Sequence, residues 1–217
     1  MVTDTRIQAI DLYRILMFEA RQRIEAINLI LAGGAKLAEG ILRELCYLQL
    51  RMLCETIALG CLVAHGDVVE PQINNFEKEW SGEKILGKLE TLNPYFFPQQ
   101  MDFGTEDSVA SNDNAITKSE LLRLYAISGS VLHRGSLKKI LTHGKINVPQ
   151  IVNWTQKIED LLGSHFIPLH ATTESAVMII CSLRNPAQNM DTTVHRIETG
   201  KRQMSFPSIL PPSPGET

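Results

Sequence analysis

Two groups of polar side chains in this sequence have residue types and spacing that could support chemistry. Arg51 and Glu55 stand four residues apart in an otherwise apolar stretch, so a helix would bring them into contact. His133 ends a second apolar stretch, with Ser128 about one turn before it, and an imidazole can act as a general acid or base near neutral pH. Both groups also have structural interpretations, the first as an ion pair and the second as a helix C-terminal cap.

A basic run follows directly after this histidine. Residues 133–145 contain Arg134, Lys138 and Lys139 near a predicted helix junction. Such a run can bind phosphate or an RNA backbone, although the same composition is typical of a solvated helix face. We therefore treat Lys138 and Lys139 as candidate anion-binding residues.

Several common catalytic and metal-binding patterns are missing from the sequence. It contains no Gly-rich phosphate loop, no HExxH, no CxxC and no GxSxG. The four cysteines lie mostly within one apolar helix and indicate buried thiols rather than a disulfide framework or a metal site. We predict neither a metal nor a cofactor.

Composition narrows the class of protein. The chain has 217 residues, 44% of them hydrophobic, and a net charge of -3, which suits one domain with appendages and gives no general reason for binding to nucleic acid or membranes. Charged residues interrupt its longest apolar run, and no cationic leader precedes an apolar segment at the N-terminus. We expect a cytoplasmic protein that does not enter a membrane.

Apolar periodicity predicts two long helices, over about residues 6–32 and from just after Gly34 to about Gly66. The short turn between them requires an antiparallel hairpin. The second helix has almost no polar face, so it is expected to lie in the middle of the fold.

Shorter patterns predict the remaining elements. Thr117 with Glu120 is a capping-box pair that begins a third core helix, and Pro149 is placed in the first turn of a fourth. Asn74 and Ser81 are candidate caps of two short helices, and residues 94–114 form a loop. The apolar run 176–183 and the later VHRIE segment predict a β-hairpin.

These elements define a mainly α fold: an antiparallel helical bundle of two long helices and two further core helices, with a small C-terminal β-hairpin. The predicted division is a helical bundle domain over 1–165, a β-hairpin appendage over 166–205 and a disordered tail over 206–217.

Two segments together carry a family resemblance. LRMLCETIAL holds an Arg-x-x-x-Glu pair, and LYAISGSVLHRGS holds Tyr-x-x-Ser-x-x-x-x-His. Over about residues 5–162 the chain resembles the HEPN (higher eukaryotes and prokaryotes nucleotide-binding) and AbiV-like abortive-infection families. The resemblance implies a bundle of four to five helices that is commonly dimeric and is often linked to RNA cleavage, nucleotide binding or phage defence. The ribonucleases of this group place a histidine four to six residues after an arginine, a spacing that this chain lacks.

Two hypotheses follow. The first is a non-enzymatic or degenerate HEPN-like interaction module in a bacterial setting such as phage defence or a toxin–antitoxin pair, with an RNA or protein partner. The second is a metal-independent ribonuclease that uses His133 with Arg123 or Arg134, supported by Arg51 and Glu55. In either case, the apolar second helix favours a homo-oligomer, because two short partner helices leave much of its surface uncovered.

Overall fold

A computed structural model describes residues 2–66, 81–101, 114–133, 147–171, 175–183 and 192–200. The described residues are mainly helical and include a small antiparallel sheet of four strands. The helices are α1 Val2–Leu31, α2 Glu39–Ala64, α3 Gly82–Leu92, α4 Lys118–Leu132 and α5 Val148–Gly163. The strands are β1 Gln99–Gln100, β2 Ser164–Ala171, β3 Ser175–Ser182 and β4 Thr193–Gly200.

Helices α1 and α2 pack along each other after a tight turn. Gly33 has a φ of 81°, a left-handed conformation that glycine adopts without steric cost and that ends α1. The two helices approach closely at Gly60, where an added Cβ would lie 3.0 Å from the Met17 side chain and 3.3 Å from the Tyr13 ring. The absence of a side chain on this residue therefore allows the contact.

Helix α2 has neighbours on both sides. Arg23 of α1 donates to the Gln49 side chain at 2.8 Å on one side, and on the other side the Cα region of Gly82 in α3 packs on Ala58. Among the described helices, α2 is also the one whose length and composition would allow it to cross a membrane, with 56% of its most apolar window buried inside the protein.

The predicted helix starts are confirmed for α4 and α5. Thr117 and Glu120 form the complete capping box, and Asn147 caps α5 through the Gln150 backbone N–H. Ser81 occupies the N-cap of α3, but its side chain makes no capping hydrogen bond. The candidate cap Asn74 and the tail 206–217 lie outside the described residues.

The predicted β-hairpin corresponds to β3 and β4, but the sheet is larger than two strands. Its order is β1-β2-β3-β4, and all neighbouring pairs are antiparallel. Strand β2 was not predicted, because Pro168 breaks its β pattern. The proline is tolerated because β1 pairs only with His165 and Phe166, so no strand among the described residues needs an N–H from residue 168 on that side.

Candidate functional site

Arg51 joins α2 to α4 through a cluster of polar contacts. Its Nη2 donates to the Tyr125 hydroxyl at 2.7 Å, and its guanidinium carbon lies 4.1 Å from the centroid of the same ring. Its Nε lies 3.3 Å from a Glu55 carboxylate oxygen, and both charged side chains are about one quarter exposed. The Arg51–Glu55 pair is therefore neither solvated nor fully internal; it lies at the edge of a helix contact.

Gly129 provides the space that the guanidinium occupies. A Cβ added at this position would lie 2.7 Å from Arg51 Nη1. Tyr125 and Gly129 are one turn apart on α4, so together they form the surface on which the arginine lies. Ser128 is buried in the same turn of α4. The two segments that carry the family resemblance are therefore in contact. The Ser128 hydroxyl has no hydrogen-bond partner among the described residues.

The charges within the cluster neutralise one another. Burial raises the pKa of the Tyr125 hydroxyl; Arg51 opposes the shift, and the charge of the Glu55 carboxylate reinforces it. Tyr125 therefore stays protonated at neutral pH. An external phosphate would have to displace Glu55 to reach Arg51, so this closed arrangement favours a positioning role for the arginine over anion binding.

His133 and Arg123 are not brought together within one chain. His133 is the C-cap of α4, where its N–H donates to the Gly129 carbonyl at 3.0 Å and its side chain is exposed. Arg123 is exposed ten residues earlier on the same helix, which separates the two positions by about 15 Å along the axis and about 80° around it. His133 is four residues, or about one helical turn, beyond Gly129, where α4 contacts Arg51. The other candidates, Arg134, Lys138 and Lys139, lie outside the described residues.

Tyr13 and His165 form a buried hydrogen-bonded pair in the core that no sequence pattern predicted. The Tyr13 hydroxyl lies 2.6 Å from His165 Nε2, and His165 Nδ1 lies 3.0 Å from the Leu162 carbonyl oxygen. Because a carbonyl only accepts hydrogen bonds, Nδ1 carries the proton and the unprotonated Nε2 accepts from Tyr13. Burial lowers the pKa of His165 to about 4. The imidazole is therefore neutral at physiological pH and ties α1 to β2.

A second buried histidine joins the end of α2 to the sheet. His65 Nδ1 donates to the Cys61 carbonyl at 2.8 Å. The Asn93 side-chain amide donates both to His65 Nε2 at 3.0 Å and to the Pro168 carbonyl at 3.1 Å. Burial also lowers the pKa of His65. In both networks, hydrogen bonds within the protein occupy the two ring nitrogens of the histidine. No group of three metal-binding side chains occurs in the described part of the chain.

A surface cavity of ≈ 460 Å³ lies between α3 and α4. Glu83, Lys84, Glu90 and Lys118 line it, and Lys118 forms an ion pair with Glu90 across it. Two charges of each sign give this cavity no preference for an anionic or a cationic ligand.

The outward side of α2 carries an apolar line that we call the α2 seam. Its positions follow one another at alternating steps of four and three residues, the repeat of a coiled-coil contact line: they are Ile41, Leu45, Leu48, Met52, Glu55, Leu59 and Leu62. None of the seven belongs to the fully buried core, and Ile41, Leu48 and Leu59 are 44%, 39% and 39% exposed. Leu45 and Met52 are half-buried, and Leu62 packs against the core. The part of the line from Ile41 to Leu59 is a candidate protein interface.

Comparisons of this chain with protein-family models, with curated proteins and with solved structures found no match.

Proposed function

We propose that this protein is a non-enzymatic, HEPN-like interaction module that works as a homodimer, in which the five helices form the bundle expected of that family. The observation that carries the proposal is the α2 seam. An isolated domain gains nothing from a regular coiled-coil repeat directed away from its own core, whereas a partner helix would bury it. A bacterial defence setting, such as phage defence or a toxin–antitoxin pair, is the context that the family resemblance implies.

The arrangement of the candidate catalytic residues supports a binding role over a ribonuclease. For an arginine and a histidine to bind the same phosphate, both side chains must lie within a few ångströms of the same oxygen atoms. Arg123 and His133 are separated along and around α4, while Arg51 is already held by Glu55 and Tyr125. These contacts favour the use of the polar residues to fix the helices relative to one another.

Light scattering coupled to size exclusion tests the homodimer. We expect a mass of twice the 24.3 kDa chain at micromolar concentrations, because burial of the α2 seam stabilises association by about 25 cal/mol per Å² of apolar surface before the entropic cost of binding. A single-chain mass across that range would contradict the proposal.

An RNA-cleavage assay in the presence of a metal chelator tests the absence of ribonuclease activity. We expect no cleavage by the wild-type protein. Cleavage that disappears in His133→Ala but persists in the matched exposed-histidine variant His195→Ala would establish the ribonuclease instead, since a general acid or base typically contributes about 10²–10⁴-fold in rate.

A further inference from the structure

Three polar groups meet where α2, α3 and β2 come together. His65 is the C-cap of α2, Asn93 is the C-cap of α3, and Pro168 lies in β2. His65 Nε2 lies 3.0 Å from the Asn93 side-chain nitrogen and 3.3 Å from the Pro168 carbonyl oxygen. The Asn93 nitrogen lies 3.1 Å from the same carbonyl oxygen. This ring nitrogen therefore faces a donor and an acceptor at the same time.

The orientation of the Asn93 amide is fixed from its other end. Its Oδ1 accepts from the Tyr95 backbone N–H at 3.0 Å, so its nitrogen is the atom directed at His65. His65 Nδ1 donates to the Cys61 carbonyl at 2.8 Å. Because a neutral imidazole has one donor nitrogen and one acceptor nitrogen, Nε2 is the acceptor and receives a hydrogen bond from Asn93.

We infer that His65 and Asn93 form an acid-responsive contact, in which a proton on His65 Nε2 moves the hydrogen bond of this nitrogen from the Asn93 amide to the Pro168 carbonyl. In an imidazolium both ring nitrogens are donors. Nε2 would then oppose the Asn93 donor, whereas the Pro168 carbonyl has two lone pairs and can accept from both groups. The contact between His65 and Pro168 shortens, and the Asn93 amide moves away from the ring.

Rotation of the Asn93 amide is a poorer response to the same proton. It would turn Oδ1 toward the imidazolium, but it would also turn the amide nitrogen toward the Tyr95 N–H, so that two donors face each other. The hydrogen bond from Asn93 to Pro168 would be lost as well. Displacement sacrifices one hydrogen bond of Asn93, whereas rotation sacrifices two. The exchange therefore separates the end of α3 from the end of α2 while both stay bound to β2.

His65 is better placed than His165 to take up a proton. It lies at the C-terminus of α2, where the partial negative charge of the last carbonyls favours an imidazolium. Burial lowers the pKa of both histidines, but at His65 the Cys61 and Pro168 carbonyls oppose the shift. The groups that contact the His65 ring nitrogens from α2, α3 and β2 are uncharged, and the Cys61 thiol stays protonated because burial raises its pKa. His65 should therefore gain its proton at a higher pH than His165.

Nuclear magnetic resonance titration of the full chain from about pH 7.5 to about pH 4.5 tests the exchange, with circular dichroism used to find the range in which the fold is intact. The ¹⁵N shift of His65 Nε2 should change from that of an unprotonated nitrogen to that of a protonated one. The signals of the Asn93 side-chain amide and of the Pro168 carbonyl carbon should change with the same midpoint. The control is the Asn28 side-chain amide, which donates to Glu159 and should not follow this midpoint.

The possible outcomes are distinct. A common midpoint for His65, Asn93 and Pro168 supports the inference. Proton uptake by His65 while the Asn93 amide signal stays constant would overturn it, because the ring would then be charged without the exchange. Absence of proton uptake before the chain unfolds would also overturn it and would leave His65 as a fixed structural contact.

Asn93→Asp gives a second measurement. A carboxylate in place of the amide would lie against His65 Nε2 and should raise the midpoint of His65 by about one pH unit or more, since an adjacent negative charge stabilises the imidazolium. The matched control is Asn28→Asp, at an exposed asparagine of α1, which should leave the midpoint unchanged. Equal midpoints in wild type and Asn93→Asp would contradict the assignment of Nε2 as the nitrogen that faces residue 93.

Discussion

Replacement of His165 by glutamine should make the free energy of unfolding much less dependent on pH below about pH 6.5. In the unfolded chain a histidine binds its proton near pH 6.5, whereas burial lowers the pKa of folded His165 to about 4. Between these values the unfolded state holds a proton that the folded state excludes, so the free energy of unfolding falls as the pH falls. The stability is complete above pH 6.5, and the loss ends near pH 4.

The expected size follows from the same two pKa values. Each pH unit in this window costs about 1.4 kcal/mol, so His165 alone should lower the free energy of unfolding by about 2 kcal/mol at pH 5 and by about 3 kcal/mol at pH 4. The pKa of His65 is lowered in the same direction, so part of the pH dependence should persist in the variant. Glutamine cannot titrate in this range, but it can still accept from Tyr13.

Urea denaturation followed by circular dichroism, at several pH values from about 7.5 to about 5, measures this difference. His165→Gln should be less stable than wild type at neutral pH, because its packing is altered, but its stability should fall less on acidification. His195→Gln, which changes an exposed histidine of β4, serves as the control and should keep the wild-type slope. Parallel curves for wild type and His165→Gln would refute the assignment of a dry, neutral imidazole.

Three further predictions concern helix α4 and are measured by urea denaturation. Thr117→Ala removes the side-chain oxygen that accepts from the Glu120 backbone N–H and should cost about 1 kcal/mol, whereas no loss would mean that the cap contributes nothing. Arg51→Ala removes the contact with the Tyr125 ring, a hydrogen bond and an ion pair and should cost about 1–2 kcal/mol, more than an isolated surface pair. Gly129→Ala should leave the free energy of unfolding nearly unchanged, because the gain of about 1 kcal/mol in helix propensity is offset by displacement of the Arg51 guanidinium. In the Arg51→Ala background the same change should be stabilising, since no guanidinium is displaced. Equal effects in both backgrounds would contradict the contact between Gly129 and Arg51.

The helices could be predicted because their signals are local. The capping box of α4 and the first-turn proline of α5 lie within four residues of the helix starts that they specify, and both are present in the structure. The sheet could be predicted only in part. Its third and fourth strands have continuous or alternating apolar patterns, whereas the second contains Pro168, whose effect depends on where the neighbouring β1 ends.

In the polar clusters, too, only the contact between residues close in the sequence could be predicted. Arg51 and Glu55 could be identified as a pair because four residues separate them on one helix. Their contact with Tyr125 joins positions 74 residues apart, and the Tyr13–His165 bond joins positions 152 apart. The first pairing arises from the packing of α2 on α4 and the second from the packing of α1 on β2, so no periodicity along the chain encodes them.

The position of Arg51 connects the internal packing of α2 to its outward surface. A catalytic arginine needs free donors that reorganise around a substrate, whereas here Glu55 and Tyr125 fix the guanidinium at a helix contact. Because the Glu55 carboxylate compensates the charge of the guanidinium, Arg51 is not a free cation at the edge of the α2 seam. Its contacts with Tyr125 instead hold α2 against α4 directly beside that seam.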